Sequence, residues 1–184
     1  MDAQVKTRVT FEEYAALPET NQIVELIEGE IVVNPPPLDK HQKTLWEIVE
    51  TLMPMMKDGE ARFAPTGLRF DDGNSFEPDL FWVGPNNMNC VLEPDGRYWR
   101  GAPDLVIEIL SPSTASNDRG LKYETYERFG VREYWLVDPD AKFTEVYRHD
   151  GTKFARHGVF KAGQSFASAV LNGATIETQS WFSE

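Results

Sequence analysis

The stretch Asp104-Leu-Val-Ile-Glu-Ile-Leu110 constrains this chain more than any other, because it is a continuous apolar run interrupted by a single acid, Glu108. A run of that length with no polar face reads as a strand covered on both sides, the kind found at the centre of a sheet. Downstream, Glu133-Tyr-Trp-Leu-Val-Asp138 reads as a second buried strand, ended by Asp138-Pro139. Between the two, Asp118 to Phe129 reads as a helix closed by Gly130. A strand, helix, strand unit implies a parallel crossover, which places the chain in the α/β class.

The flanking segments add elements around that unit. Thr10-Phe-Glu-Glu13 is a capping box for a short helix that stops near Leu17-Pro18. Ile23 to Val33 is rich in β-branched residues around Gly29 and predicts a hairpin or bulged strand pair ahead of the breaker Pro35-Pro36-Pro37. From about Asp39 to about Met56 a long helix is expected, with Leu45, Ile48, Val49, Leu52 and Met56 on one apolar face. Gly67 to Phe70 and Phe76 to Val83 predict a hairpin through Asp71-Asp72-Gly73-Asn74, and Gly84 to Gly101 a variable surface loop near the substrate. Phe143 to Arg148 and Lys153 to Phe160 predict a terminal hairpin around Asp150-Gly151.

At 184 residues and 41% hydrophobic content, one domain over 1–184 is expected. No apolar run is long enough for a membrane span, and Met1 to Thr10 lacks a signal-peptide pattern, so the expected location is cytoplasmic. The single cysteine, Cys90, has no disulfide partner, which fits a reducing compartment. The net charge of −12 sits awkwardly with phosphate binding, but it is uneven: residues 1–30 and 71–104 each hold seven acids against two bases. Acidic clusters repel phosphate unless divalent cations sit among them. No phosphate-binding glycine loop, dinucleotide fingerprint or serine nucleophile elbow occurs, and His41, His149 and His157 show no zinc spacing.

Glu108 is the first candidate for chemistry, since an acid in an apolar strand must be paired or must coordinate a metal. Asp79, at the start of the apolar run Leu80-Phe-Trp-Val83, is the second. Two such acids on adjacent strands can hold one Mg²⁺, which completes its shell with water and phosphate oxygens. The competing reading pairs Glu108 with an arginine and makes Asp79 a turn cap. Lys122 lies four residues after Asp118 and four before Tyr126, so the three project from one side of the predicted helix. Lys122 is either a group that orients or activates water or holds a phosphate oxygen, or an ordinary solvated lysine. Glu25 is a third acid with Glu28 and Glu30 as competitors, and alternation alone leaves the inward face open. His41, near a helix start, is a candidate for substrate binding or proton transfer, with a helix-cap histidine as the alternative.

The run Gly101-Ala-Pro-Asp-Leu-Val-Ile-Glu-Ile-Leu-Ser-Pro-Ser-Thr114, then Asp118-Arg-Gly-Leu-Lys122, Tyr126 and Gly130-Val-Arg-Glu-Tyr-Trp-Leu-Val-Asp-Pro139, resembles a bacterial restriction-endonuclease domain family within the PD-(D/E)XK nuclease superfamily. The likeness extends to Glu25-Leu-Ile-Glu-Gly-Glu30, His41 and Pro78-Asp79-Leu80. It implies a restriction-endonuclease-like fold, a mixed central sheet flanked by helices with additional N-terminal and C-terminal strands. Carried over by position, Asp79 and Glu108 become the metal-binding acids, with Mg²⁺ or Mn²⁺ as cofactor. Leu110 stands where the superfamily's strand lysine would be, and the resemblance moves that role to Lys122. Glu25 then matches the family's early acid, while His41 and Tyr126 are expected on the substrate side. The implied activity is phosphodiester hydrolysis of nucleic acid, with DNA as the expected polymer and a homodimer as a possible assembly. The rival class is a non-catalytic nucleic-acid-binding or protein-interaction module on the same fold.

Overall fold

The computed structural model describes residues 8–182; the reading of Met1 to Thr10 as lacking a leader pattern falls largely outside them. In chain order, helix α1 (Phe11–Ala15) precedes strands β1 (Ile23–Ile27) and β2 (Glu30–Asn34), and α2 (Asp39–Leu52) precedes β3 (Glu60–Phe63), β4 (Gly67–Arg69), β5 (Ser75–Phe76) and β6 (Leu80–Val83). Then follow β7 (Cys90–Leu92), β8 (Tyr98–Gly101), β9 (Leu105–Ile109), helices α3 (Ala115–Arg119) and α4 (Leu121–Phe129), and β10 (Glu133–Asp138). Strands β11 (Phe143–His149), β12 (Phe154–Lys161), β13 (Ser165–Ala167) and β14 (Thr175–Glu177) close the chain.

The strands form two six-stranded sheets and one small hairpin. The first sheet runs β2-β1-β5-β4-β8-β7, the second β12-β11-β10-β9-β6-β3, and β13 pairs with β14. In the second sheet β9 and β10 are parallel, joined through α3 and α4, while every other pairing is antiparallel. The expected crossover is therefore present at the centre of the sheet, with β9 flanked by β10 and β6.

Alternation along these central strands creates two cores. Leu80 and Trp82 of β6, Leu105, Ile107 and Ile109 of β9, and Trp135 and Val137 of β10 face α2 and the C-terminal segment, where Ile48, Leu52, Phe166 and Trp181 meet them. Phe81, Val106, Tyr134 and Leu136 face the other way, toward Leu68 and Phe76 of the first sheet and Tyr126 of α4. Glu108 shares the parity of Val106, so it points into the layer between the two sheets.

Several local expectations change. The capping box of α1 forms as read, with Thr10 and Glu13 bonded reciprocally. Glu28 and Gly29 both take left-handed conformations (φ +52° and +77°), which makes the β1–β2 connection a two-residue hairpin turn. The run Phe76 to Val83 is not one strand. Pro78 offers no N–H to a ladder, and Glu77-Pro78-Asp79 carries the chain from β5 in the first sheet to β6 in the second. Gly84 to Gly101 is not an irregular loop either: β7 and β8 form an antiparallel pair within it, and Cys90 and Trp99 are buried. The helix expected over Asp118 to Phe129 is broken at Gly120, where a Cβ would lie 2.8 Å from the Ser116 carbonyl oxygen. Strand β3 and the β13–β14 pair had no counterpart in the sequence reading.

Candidate active site

The register Leu80↔Ile107 between β6 and β9 places Asp79 beside Glu108 on the face between the sheets. The Asp79 amide N–H points at Glu108 Oε2 (3.4 Å), and the Ile109 amide donates to Asp79 Oδ2 (2.7 Å). His41, on the first turn of α2, sets its Nε2 3.1 Å from the same Asp79 oxygen. Asp79 Oδ2 is thus held by a backbone amide and an imidazole, which fixes the carboxylate at the cleft wall.

Glu108 is held from below. Its Oε1 accepts the Tyr126 hydroxyl at 2.7 Å and the Lys122 ammonium at 3.1 Å, both from successive turns of α4. Lys122 also reaches Glu25 Oε1 at 2.8 Å and Asp118 Oδ1 at 3.4 Å. Glu25 in turn accepts Asn34 Nδ2 and the Glu77 amide, both at 2.9 Å. Glu25, Glu108, Asp118 and Lys122 are each at most 4% exposed, so this is a buried cluster and not a surface network.

These groups line one cleft of about 260 Å³, walled by Pro35-Pro36-Pro37-Leu38 on one side and Ser111 to Thr114 on the other. The site residues expected from the sequence converge here, with two qualifications. Glu28 and Glu30, the competitors of Glu25, lie away from the cleft: Glu28 sits in the turn 3.7 Å from Arg8, and Glu30 is exposed. Tyr126, expected on the substrate side, does not line the cleft. It is fully buried behind Glu108, with its hydroxyl donating to that carboxylate. The hairpin within Gly84 to Gly101, expected near the substrate, contributes no lining residue.

Two acids escaped the site assignment. Glu77 lines the cleft two residues before Asp79 on the same face, and Asp118 reaches it from α3. Alternation around Asp79 was the available signal for Glu77. The spacing that groups Asp118 with Lys122 was visible, but its burial (2% exposed) comes from the fold.

Five carboxylates, Glu25, Glu77, Asp79, Glu108 and Asp118, therefore share a cleft with one lysine and one histidine. Burial, relieved in part by Lys122 and reinforced by Asp118, Asp79 and Glu25, pushes the Glu108 carboxyl well above the usual range. Burial likewise raises Asp118 against the pull of Lys122, and burial with Glu25 nearby lifts Glu77 to about 7. Burial works against the Lys122 ammonium, yet Glu108, Glu25 and Asp118 together raise its pKa well above the ordinary value. For His41, burial favours the neutral ring, but the Asp79 contact and the charges of Asp79 and Asp118 leave its pKa raised.

The cluster suits a hard divalent cation. Oxygen donors are in excess: Glu77 Oε2 is buried without a hydrogen-bond partner, and Asp118 Oδ1 is buried with only the 3.4 Å ion pair to Lys122. Among the described residues no three His, Cys, Asp or Glu side chains already converge in ligand geometry. An ion at Asp79 and Glu108 would complete its shell with water and substrate oxygens, as Mg²⁺ commonly does.

The Uma2 family model, described as "Putative restriction endonuclease", matches residues 11–179. The chain belongs to this family. In three dimensions it is similar to the crystal structure of a putative nuclease belonging to DUF820 from Anabaena variabilis, at 25% identity and a TM-score of 0.74, over 95% of this chain and 97% of that one. No curated protein matches the chain. The fold is restriction-endonuclease-like, mixed α/β with two large sheets and few helices. No helix among the described residues is long and apolar enough to cross a membrane.

Proposed function

We propose that this Uma2 domain is a metal-dependent nuclease that hydrolyses phosphodiester bonds in nucleic acid, with DNA as the preferred polymer and water as the nucleophile. The supporting observation is the convergence of Asp79, Glu108 and Lys122 on one cleft from the residue preceding β6, from β9 and from α4. Asp79 Oδ1 and Glu108 Oε2 would hold Mg²⁺ or Mn²⁺, which when bound offsets phosphate charge and lowers the pKa of a bound water. His41 and the Ile109 amide fix Asp79, and Tyr126 fixes Glu108. The Lys122 ammonium orients the attacking water or holds a phosphate oxygen, and Glu25 and Asp118 keep it in place and charged. His41 also lines the cleft, where it stands beside the substrate-facing wall while its Nε2 holds Asp79. The proposal includes one domain over the whole chain and a cytoplasmic setting.

A non-catalytic module on the same fold is the second reading, favoured by one observation. Many basic side chains outside the cleft are already neutralised, among them Lys40 by Asp140, Arg119 by Glu145, Arg128 by Asp71 and Arg132 by Asp104. Cleavage of single- and double-stranded DNA and RNA, with Mg²⁺ or Mn²⁺ against EDTA, separates the two. The nuclease reading expects metal-dependent cleavage that is lost in Asp79→Asn and Glu108→Gln. Absence of cleavage on every substrate with both metals would favour the module.

A further inference from the structure

Each six-stranded sheet ends in strands with one unpaired side, and these edges are unequally protected. β3 carries Glu60 and Arg62, and β12 carries Arg156, His157 and Lys161, charges of the kind that block strand addition. The two edges of the first sheet lack that protection: β7 is a short uncharged strand, Cys90–Leu92, and β2 is longer. Its centre, Ile31-Val32-Val33, is uncharged and β-branched in a chain of net charge −12, and Ile31 and Val33 are 39% and 53% exposed.

The backbone of this edge has a definite pattern. Because Glu28-Gly29 is a two-residue turn, Ile27↔Glu30 is a hydrogen-bonded pair, and so, by alternation, are Glu25↔Val32 and Ile23↔Asn34. The N–H and C=O groups of Ile31 and Val33 therefore point away from β1. Among the described residues no other strand pairs with β2, and no backbone hydrogen bond reaches these four groups.

We propose that β2 pairs with β2 of a second copy of this chain, antiparallel about a twofold axis through Val32. In this register Ile31 and the partner's Val33 form a hydrogen-bonded pair, and the reciprocal pair uses the remaining groups, so all four outward groups on each copy are satisfied. Glu30 faces the partner's Asn34, so no acid meets an acid across the axis. Moving the axis to Ile31 would set Val33 against the turn glycine, and moving it to Val33 would set Ile31 against Pro35, which has no N–H. The side chains of Ile31 and Val33 line a groove of about 370 Å³ of mixed character, with Leu17, Val24 and Pro65 beside Glu19, Glu77 and Arg97, and the pairing continues this groove across the axis.

The assembly has a consequence for the cleft. A twofold axis perpendicular to the sheet leaves the same face upward in both copies, and that face carries Glu25 and Asn34. Since Glu25 lies opposite Val32, the two Glu25 backbones stand three strand spacings apart, roughly 14 Å. Both clefts then open on one side of a continuous sheet. The pairing stands independently of the nuclease reading, because its test needs no activity.

Sedimentation equilibrium of the full chain is expected to give twice 21.0 kDa. Val33→Pro removes only an outward N–H, so it should yield a monomer with unchanged far-UV circular dichroism. Ile31→Lys with Val33→Lys should do the same if the proline variant fails to fold. Val91→Lys, on the exposed β7 edge, should leave the dimer intact. Val32→Cys should form an intermolecular disulfide under mild oxidation, since opposed residues of a non-hydrogen-bonded pair lie about 4.5 Å apart at Cα. Cys90 is buried and does not compete. A wild type that sediments as a monomer at every accessible concentration overturns the proposal. So does a dimer that survives the double lysine variant or gives no Val32→Cys cross-link.

Discussion

Replacing Lys122 by Met should destabilise the protein far more than its place on a helix suggests. Lys and Met have similar helix propensities, so an exposed lysine would lose almost nothing. Here the ammonium is 4% exposed and lies within 3.4 Å of Glu25, Glu108 and Asp118. Removing one partner of a buried ion pair costs about 3–5 kcal/mol, because the remaining charge is left without compensation. Glu108 and Asp118 can absorb part of that by taking up protons, which favours the lower end, about 3 kcal/mol. For a chain of this size that corresponds to a fall in Tm of roughly 6–12 °C. The loss has a pH signature. Both carboxyls have folded-state pKa values above their unfolded values of 4.5 and 3.8, and losing Lys122 raises them further. Their protonated forms are the ones the fold favours, so the variant's stability falls as pH rises through the folded-state values. Melts of Lys122→Met, wild type and the exposed control Lys57→Met, in EDTA from pH 4.5 to 8, should show a gap that widens with pH. A deficit below about 1 kcal/mol, or one independent of pH, would refute the buried-cluster account.

Other outcomes follow from the same cluster. Glu108→Gln should raise the Tm of the metal-free protein, since it removes one of five crowded carboxyls and keeps an acceptor for Tyr126; a clear fall would mean that the Lys122 ion pair dominates. Glu77, lifted to about 7 by burial and by Glu25, stabilises the fold when protonated, so stability should decline as pH rises from 4.5 to about 7. Glu77→Gln should flatten that decline by about 1–2 kcal/mol after discounting for partial exposure, as read by denaturant titration at each pH. Tyr126→Phe should cost about 0.5–1.5 kcal/mol by removing a buried hydrogen bond to Glu108, while leaving the KM for nucleic acid unchanged because Tyr126 lies behind Glu108.

Much of this arrangement was legible in the residues, and the reasons are specific. An acid inside Leu105–Ile109 demands compensation, and the strand-helix-strand pattern around it fixes a parallel pair, so Glu108 and the centre of its sheet could be read directly. Lys122 had two readings from the residues alone, a catalytic group or the commoner solvated lysine. Only packing of α4 under β9 decides its burial, and that depends on contacts distant in sequence. The resemblance put Tyr126 on the substrate side, but one turn beyond Lys122 its hydroxyl meets Glu108 beneath the cleft. The short strands β7 and β8 were hidden among Gly, Pro and Asn residues, whose turn signal outweighs three or four strand residues. The switch of sheets at Pro78 gave a local signal, a proline inside an apparent strand, yet nothing local says that the chain continues in a second sheet.

The central claim is that Asp79 and Glu108 together make a divalent-cation site. Calorimetric titration of Mn²⁺ into the metal-free protein tests it most directly, with Asp79→Asn/Glu108→Gln as the comparison. The account predicts saturable binding by the wild type and loss of that binding in the double variant, with the variant still folded by circular dichroism. Unchanged binding in the folded double variant would place the ion elsewhere and contradict the account.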